Sequence, residues 1–482
     1  MDDLRYLSAA RVLRHFRAKT LSPLELLDGL IDWIETVNPT VNAIAERLFE
    51  EAHPQARAAT HRYVSHPEDV RPLEGLPVAV KEEQPIAGRR WSEGSLVYAE
   101  RTADVTHPVV ERITAAGGII HLRTTTPEFS CAAFTHSKLW GVTRNPWNPD
   151  YSPGGSSGGS AAALASGMTP LATGSDIGGS IRIPASFSGV VGYKPPYGRV
   201  PELPPFNLDA YCHAGPLARS VRDCALLQNV LVGPHSLDAN SLRPAVPVPL
   251  DHGDLSKLRI GLAVNLGDWL LEPEVEANTR AVAEALQSAG AVVDEIELKL
   301  ERATVTRAAE IHFSTIFGSV VTEEGAASEN LLTPYARQLI ARATNPPGTF
   351  LEGLRLEAKI QQHVGPVLER YDALICPTAG IPALIAGEDY VERGITVAGE
   401  EADPFFDAIM TLPFNILSRC PVLAVPSGWA SNGVPTGIQI VGRTYDDATV
   451  FRIGAAIERE RPWGYRDPDT LPPIAASTEL LT

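Results

Sequence analysis

The apolar positions near the N-terminus repeat at helical spacing. Ser22-Pro23-Leu24-Glu25 has the form of a capping box with proline at the first helical position, which predicts a helix start. The apolar residues that follow lie three or four positions apart, as on one helix face: Leu26, Leu30, Trp33, Ile34 and Val37. Asn38-Pro39 predicts the helix end, because the residue before proline is biased away from helical dihedrals. Residues 1–70 are therefore predicted to be a helical segment that packs on the rest of the chain.

Beyond residue 75, short apolar runs alternate with amphipathic stretches. The short runs predict strands at 76–80, 119–122, 258–264, 291–298, 373–376, 422–425 and 438–441. Helical spacing predicts helices at 108–116, 273–289, 354–371 and 446–460. This alternation indicates an α/β fold with a largely parallel or mixed sheet.

The chain shows no sign of division into several domains, although its 482 residues would allow them. It contains no internal repeat and no long low-complexity linker. The stretch 233–254 is rich in Pro, Asp and Ser and is typical of a surface connection within one α/β unit. We therefore predict a single domain over residues 1–482.

Composition and charge exclude several classes of function. The formal net charge of −17, without any basic run, argues against nucleic acid or an anionic membrane surface as a partner. No apolar stretch approaches the length of a membrane span, and the N-terminal residues lack a signal pattern, so a cytoplasmic location is expected. The five cysteines are odd in number and widely spaced, which argues against a disulfide framework and against a CxxC metal site.

Two Gly-Gly-Ser clusters joined by a small-residue helix lie in residues 151–195, which read YSPGGSSGGSAAALASGMTPLATGSDIGGSIRIPASFSGVVGYKP. Glycines in such a density allow positive φ angles and close backbone approach. In the second cluster, consecutive N–H groups from Ile177 to Ser180 can converge on one point, which suits an oxyanion hole. Ser180 at the end of that turn is well placed as a nucleophile, but a serine hydroxyl needs a base.

Two bases are compatible with the residues alone. Gly155-Ser156-Ser157-Gly158-Gly159 matches GxSxG, which would make Ser157 the nucleophile and require a histidine, with candidates His213, His312 and His363. Alternatively, Lys81 directly follows an apolar run, and desolvation at the end of a buried strand lowers the pKa of a lysine. On position alone, an ordinary strand-end lysine that reaches solvent is the favoured interpretation.

Several motifs, in order and spacing, resemble those of the amidase signature enzymes. The Gly/Ser stretch is similar to the family's signature, and the other matching segments are GLPVAVK at 75–81, TPEF at 126–129, NPWN at 145–148 and PTGIQIVG at 435–442. The resemblance covers most of the chain from residue 75 onward, with the catalytic core at 75–200. It implies a large mixed, mostly parallel, twisted β-sheet with helices on both faces.

The resemblance also implies a role for each matching residue. Ser180 matches the acylated nucleophile, Ser156 the bridging serine that follows a cis peptide bond, and Lys81 the general base. The oxyanion hole matches Ile177, Gly178, Gly179 and Ser180, supported by Ser157, Asp176 and Arg182. No metal or organic cofactor is required. The implied activity is hydrolysis of linear amide C–N bonds through an acyl-enzyme.

Substrate contacts are predicted from aromatic and small residues near the motifs. Candidates are Phe129, Ser130, Tyr151, Gly154 and Gly155; Trp140 and the loop 200–211 also offer apolar and aromatic side chains, and 200–206 is expected to shape the entrance. Apolar walls would favour apolar or aryl amides and anilides. The same attack and oxyanion steps also serve esters and carbamates (urethanes).

Two departures from the family pattern bear on function. Glu82-Glu83 follows Lys81 where the family usually has Asp and then Asn or Asp, which alters the lysine's surroundings. Ile183 stands where A subunits of glutamine-dependent tRNA amidotransferases usually carry Gln, which favours a stand-alone hydrolase, monomeric or homodimeric, acting on a small-molecule amide or carbamate. The alternatives are such an A subunit, with partner and tRNA, and a catalytically silent scaffold.

Overall fold

A computed structural model of the chain describes residues 4–465 and 470–476. Its strands are β1 (Ile44–Arg47), β2 (Pro77–Lys81), β3 (Ile119–Thr124), β4 (His136–Ser137), β5 (Gly141–Val142), β6 (Leu171–Asp176), β7 (Val191–Lys194), β8 (His213–Ala218), β9 (Arg259–Leu262), β10 (Val292–Glu295), β11 (Ala373–Pro377), β12 (Ile395–Val397), β13 (Glu400–Ala402), β14 (Val422–Trp429) and β15 (Pro435–Gly442). Each of the seven predicted strands is present, with ends shifted by a few residues.

Fifteen α-helices also lie within the described residues. They are α1 (Ala9–Ala18), α2 (Pro23–Val41), α3 (Phe49–Ser65), α4 (Pro108–Ala115), α5 (Gly158–Ala165), α6 (Arg182–Ser188), α7 (Val221–Leu231), α8 (Pro273–Ser288), α9 (Arg302–Thr315), α10 (Phe317–Gly325), α11 (Pro334–Thr344), α12 (Phe350–Arg370), α13 (Pro413–Ile416), α14 (Asp447–Glu460) and α15 (Pro473–Ala476). In the part of the chain that the structure describes, no helix is both long and apolar enough to cross a membrane.

Eleven strands form one sheet in the order β1-β3-β2-β6-β8-β7-β14-β15-β11-β9-β10. The mixed sheet is confirmed, but the expectation that it is mostly parallel is wrong. Four neighbouring pairs are parallel, and six are antiparallel. The reason is visible at β8, which lies antiparallel between β6 and β7. A fully buried strand has the same apolar run in either direction, so its sequence does not reveal this insertion.

The N-terminal segment contains helices α1, α2 and α3 together with strand β1, and residues 1–3 lie outside the described residues. The capping box is confirmed, with Ser22 and Glu25 each bonding the other's backbone N–H. The predicted end at Asn38-Pro39 is wrong, because α2 continues to Val41 with Pro39 inside its last turn. The helix ends instead at Asn42, whose φ of 53° lies in the left-handed region and whose N–H bonds the Asn38 carbonyl.

The sheet and its helices bury a core that fixes the Gly/Ser stretch. Helix α5, which joins the two clusters, is buried along its whole length and packs on β2 and β6. Helix α6, which follows the second cluster, is also buried and packs on β7, β14 and β15. Small side chains allow this close packing of helix on sheet. Both clusters are therefore held by buried elements on their C-terminal sides.

Candidate active site

Parallel pairing brings the ends of β2 and β6 together. Val78 pairs with Leu171 and Ala79 with Ala172, so both strands finish at the same edge. Lys81 is the last residue of β2, and its N–H donates to Thr173 Oγ1 at 3.2 Å. The position of Lys81 is thus fixed by the pairing of β2 with β6.

The Lys81 side chain is fully buried and surrounded by oxygen atoms. Its Nζ lies 2.7 Å from Ser156 Oγ and 2.8 Å from Ser175 Oγ. It also contacts the carboxylate of Glu83. Lys81 does not reach solvent, so the interpretation of an ordinary strand-end lysine is wrong.

Ser156 approaches Lys81 from the first Gly/Ser cluster. The Gly155–Ser156 peptide bond is cis, as the resemblance implies. A side chain at position 155 would collide with backbone atoms of Ala132 and Phe134, so only glycine fits there. The chain segment that delivers Ser156 is therefore packed directly on the backbone of residues 132–134.

Ser180 lies in the turn between β6 and α6 and is 8% exposed. Its carbonyl accepts the Ser157 N–H at 3.1 Å, which ties the two Gly/Ser clusters together. Among the described residues, the N–H groups of Ile177, Gly178 and Ser180 have no hydrogen-bond acceptor. The Gly179 N–H, in contrast, donates to Asp176 Oδ1 at 2.9 Å. Three of the four predicted oxyanion donors are thus free, and Gly179 is corrected to a structural donor.

Asp176 and Arg182 form a buried ion pair inside this turn. Arg182 Nη2 lies 2.8 Å from Asp176 Oδ1, and Nε lies 2.9 Å from Oδ2. Asn415 Nδ2 donates to the same carboxylate at 2.9 Å. Burial raises the pKa of Asp176, but the charge and hydrogen bonds of Arg182 and the Asn415 bond outweigh it and hold this pKa well below its ordinary value. The carboxylate therefore stays ionised and fixes the turn.

Glu83 completes a hydroxyl network around Lys81. Its Oε2 accepts hydrogen bonds from Ser175 Oγ and Ser130 Oγ, each at 2.8 Å. Burial raises the pKa of Glu83, but Lys81 and the hydroxyl donors more than offset this, so the pKa lies below its ordinary value. An influence of the acids after Lys81 was expected from the sequence, but the role of Ser175 was not, although Ser175 lies inside the Gly/Ser stretch.

Two cavities meet at these residues. The first, of about 130 Å³, includes Ser180 and Gly155 in its wall, and its other walls are mainly apolar: Ile183, Phe313, Leu339, Phe405, Ile409 and Leu412. The second, of about 200 Å³, includes Ser156, and its walls mix aromatic and acidic side chains: Trp91, Tyr98, Phe129, Phe206, Glu83, Glu93, Glu202 and Glu324. Ser130, Ile177 and Phe317 belong to both cavities.

The charged groups of the second cavity are largely paired. Glu93 Oε1 lies 2.7 Å from Arg101 Nη2, and His107 Nε2 lies 2.5 Å from Glu202 Oε1. Burial raises the pKa of Glu93 to about 7, although Arg101 opposes the shift. The second cavity therefore combines paired charged groups with aromatic and aliphatic walls, and the first also includes a charged pair, Glu310 and Arg342, whose side chains lie 3.8 Å apart.

The predicted substrate contacts divide into two groups. Ser130, Gly155 and Phe129 line the cavities, as do residues 202–206 of the predicted entrance loop. Tyr151 and Gly154 line neither cavity. Tyr151 forms an isolated bridge with Ile385 instead, and Gly154 is packed against Pro184. Trp140 likewise lies outside both cavities.

Ser157 does not have the surroundings of an elbow nucleophile. It is fully buried, and its Oγ bonds the backbone of Ser175, 3.3 Å from both N and O. His213 bonds backbone carbonyls, and burial lowers its pKa to about 3. His312 bonds Asp209, and His363 lies on α12. The GxSxG alternative is therefore not supported by these contacts.

Much of the first cavity comes from parts of the chain without a recognisable motif. Phe313, Phe317 and Leu339 lie on α9, α10 and α11, and Phe405 and Ile409 precede α13. Their apolar side chains look like ordinary core positions in the sequence. Gln439, which accepts from Arg182 Nη1 at 2.6 Å, did lie in a quoted motif and could have been found there.

Comparisons with known proteins agree with the geometry. The family model described as Amidase matches residues 25–451, so the chain belongs to the amidase family, whose members carry the amidase signature. The A subunit of the glutamyl-tRNA(Gln) amidotransferase of Thermosynechococcus vestitus is 32% identical over 491 residues, covering 94% of this chain and 98% of that protein. An acylamidase of Rhodococcus erythropolis is 30% identical over 474 residues, covering 97% and 98%.

A solved structure supports the same assignment. The crystal structure of a bacterial aryl acylamidase of the amidase signature family superposes with a TM-score of 0.88 at 28% identity, covering 95% of this chain and 97% of that one. The chain is thus an amidohydrolase of the amidase signature type. Its relatives include both acylamidases and one component of an amidotransferase.

Proposed function

We propose that this chain is a stand-alone amidase that cleaves linear amides through an acyl-enzyme on Ser180. The observation that carries the proposal is the 2.7 Å contact between the fully buried Lys81 Nζ and Ser156 Oγ. A buried lysine against a serine hydroxyl is the arrangement expected of an activating base. The Ser157–Ser180 backbone bond holds Ser180 beside this pair.

The proton steps follow from the order Ser180, Ser156, Lys81. Neutral Lys81 takes the Ser156 proton while Ser156 takes the Ser180 proton, and Ser180 Oγ forms a bond to the substrate carbonyl carbon. Ser156 then gives its proton to the leaving nitrogen and regains one from Lys81 as the C–N bond breaks. Water repeats the sequence on the acyl-enzyme and releases the acid. Hydrogen bonds of such relays often tighten only in the substrate complex.

The developing oxyanion is assigned to three backbone donors. The N–H groups of Ile177, Gly178 and Ser180 have no other acceptor in the described chain, whereas the Gly179 N–H serves Asp176. Removing one donor of this kind elsewhere costs about 3–4 kcal/mol of transition-state stabilisation. The buried Asp176–Arg182 pair keeps the turn in the required shape.

The two cavities suggest how a substrate lies. Ser156 must reach the leaving nitrogen, so the amine side belongs to the second cavity, which contains Ser156. The acyl side then belongs to the first cavity, next to Ser180. Because the walls of that cavity are mainly apolar, the preferred acyl groups are apolar or aromatic. Aryl amides and anilides fit this description, and esters and carbamates follow the same steps.

A second candidate is the A subunit of a glutamine-dependent tRNA amidotransferase. The 32% identity to such a protein favours it. Ile183 weighs against it, because this residue is 3% exposed and adds an apolar group to the first cavity. The side-chain amide of a glutamine substrate would find fewer polar partners beside Ile183 than beside a glutamine at that position.

Intact-mass spectrometry after treatment with phenylmethylsulfonyl fluoride tests the nucleophile. We expect one sulfonyl adduct on the wild type and on Ser157→Ala, and none on Ser180→Ala. An adduct that persists in Ser180→Ala but disappears in Ser157→Ala would refute the assignment. Hydrolysis of a chromogenic anilide by the purified chain, without partners, separates the stand-alone amidase from a silent scaffold and from a component of an amidotransferase.

A further inference from the structure

Glu83 places a carboxylate directly against the lysine of the proposed relay. Its Oε2 contacts Lys81 Nζ and accepts hydrogen bonds from the hydroxyls of Ser175 and Ser130, each at 2.8 Å. Lys81 has no exposed side-chain surface, whereas Glu83 is 27% exposed and lines the second cavity. Glu83 therefore lies between the lysine and the space that the leaving amine would enter.

The proposed chemistry creates a charge at this point. Each time Ser180 attacks, a proton arrives at Lys81 Nζ and forms an ammonium ion in a fully buried position. An unpaired buried charge is strongly unfavourable, and a carboxylate in contact compensates for it. The aspartate of a Ser-His-Asp triad acts on its histidine in the same way.

We propose that Glu83 is a positioning residue for the reaction: it stabilises the ammonium form of Lys81 that arises during attack and holds Nζ on Ser156. This inference rests on the proposed function. Glu83 itself takes no proton, because Nζ returns its proton to Ser156 when the amine leaves. The two hydroxyl donors keep the Glu83 carboxylate aimed at Lys81.

Glu82 offers a matched contrast one residue away. It is almost fully buried, but its Oε1 accepts from the N–H and hydroxyl of Ser92 and does not contact Lys81. Other titratable groups line the second cavity together with Glu83: Glu93 with Arg101, His107 with Glu202, Asp176 (whose partner is Arg182), Cys212, His213, Tyr98 and Glu324. Most of the acids among them are already paired.

The test compares the pH dependence of kcat for wild type, Glu83→Gln, Glu83→Asp and Glu82→Gln on a chromogenic anilide. A carboxylate next to Lys81 favours the ammonium form, so its removal shifts the acid-side midpoint of kcat downward by about one pH unit or more. We also expect the plateau kcat of Glu83→Gln to fall about tenfold or more. Glu83→Asp should lie between these values, and Glu82→Gln should keep the wild-type midpoint.

Several outcomes would overturn the inference. The inference fails if the acid-side midpoint of kcat in Glu83→Gln equals that of the wild type, or if Glu82→Gln shows the same shift. Glu83 would then have only a structural role. If Glu83→Gln does not fold, Glu83→Asp carries the test, and a wild-type profile there contradicts the inference. Failure of the proposed function is distinguishable, because the wild type would then take no sulfonyl adduct on Ser180 and hydrolyse no anilide.

Discussion

The Asp176 carboxylate and the Arg182 guanidinium are joined by two hydrogen bonds of 2.8 and 2.9 Å, with neither side chain exposed to solvent. The same carboxylate accepts the N–H groups of Gly179 and Ile181. The ion pair therefore fixes the backbone on both sides of Ser180. Stability of the fold and shape of the nucleophile turn depend on the same two residues.

Asp176→Asn is expected to lower both stability and activity. Breaking a buried pair while leaving its partner charged costs about 3–5 kcal/mol. Because the pKa of Asp176 lies below its ordinary value of 3.8, its contribution to stability is complete above pH 3.8 and is lost as the pH falls further. Urea unfolding of wild type and variant at pH 7 and near pH 3 measures this: the difference between them should shrink at the lower pH.

Asp447→Asn is the control for this substitution. Asp447 pairs with Arg199 and bonds Tyr193, away from both cavities. It should lower stability without lowering kcat per folded molecule. If Asp176→Asn also keeps wild-type kcat once corrected for the folded fraction, the ion pair does not shape the nucleophile turn.

Lys81→Met is expected to abolish most turnover while preserving the fold. Methionine fills a similar buried volume without a basic nitrogen, and loss of general-base catalysis costs about 10²–10⁴-fold in kcat. Steady-state kinetics on an anilide, with a thermal melt for each protein, measures both effects. Lys138→Met is a suitable control, because Lys138 bonds the carbonyls of Asn330 and Leu332 and lines neither cavity. Turnover of Lys81→Met within threefold of the wild type would remove Lys81 from the relay.

The resemblance pointed to Lys81, Ser156 and Ser180, and the structure places Lys81 and Ser156 in contact. The glycines of the two clusters are required by close backbone contacts, such as Gly155 against Ala132 and Phe134, and such requirements leave a recognisable motif. Seven strands of the sheet were predicted because each contains a compact apolar run, whereas β1, β6, β7 and β8 were not predicted. The expectation of mostly parallel strands was wrong, because β8, which was not predicted as a strand, lies antiparallel between β6 and β7. The sheet was therefore predicted only in part, and the strands that carry Asp176 and His213 were missed.

The cavity walls were harder to predict than the relay. Phe313, Leu339 and Phe405 come from three separate segments that meet only in the folded chain. An apolar side chain on a helix has the same sequence pattern whether it faces core or cavity. Tyr151, chosen because it adjoins the signature, lies outside both cavities. Closeness in sequence to the motifs thus identified some cavity-lining residues, such as Ser130 and Gly155, but not those on the distant helices.

Gly179→Ala is expected to be far more harmful than Gly178→Ala. Gly179 has a φ of 124°, which non-glycine residues rarely adopt, and an added Cβ would collide with the Thr411 side chain. A Cβ on Gly178 would meet Phe313 at 3.3 Å and Leu412 at 3.5 Å, both side-chain atoms that can shift. We expect kcat to fall about 10²-fold or more for Gly179→Ala, comparable to loss of an oxyanion donor, and less than tenfold for Gly178→Ala. An equal fall in kcat in the two variants would show that the positive φ angle of Gly179 is not required for turnover.

Leu339→Trp and Leu203→Trp test which cavity receives which half of the substrate. Leu339 lines the first cavity and Leu203 the second, so each substitution narrows one side only. With a large acyl group on a small amine, Leu339→Trp should lower kcat/KM about tenfold or more, and Leu203→Trp should change it little. A substrate with a small acyl group and a large aryl amine should give the reverse. The expected size of each effect follows from the cost of one lost apolar contact or one clash, which is about 1–3 kcal/mol. Each variant is measured on both substrates, and the four kcat/KM values are expressed relative to wild type. Damage to the whole fold would lower kcat/KM equally for the two substrates. The opposite result would be that Leu339→Trp impairs the substrate with the large amine and Leu203→Trp the one with the large acyl group. That result would place the amine in the first cavity beside Ser180 and would contradict proton transfer from Ser156 to the leaving nitrogen.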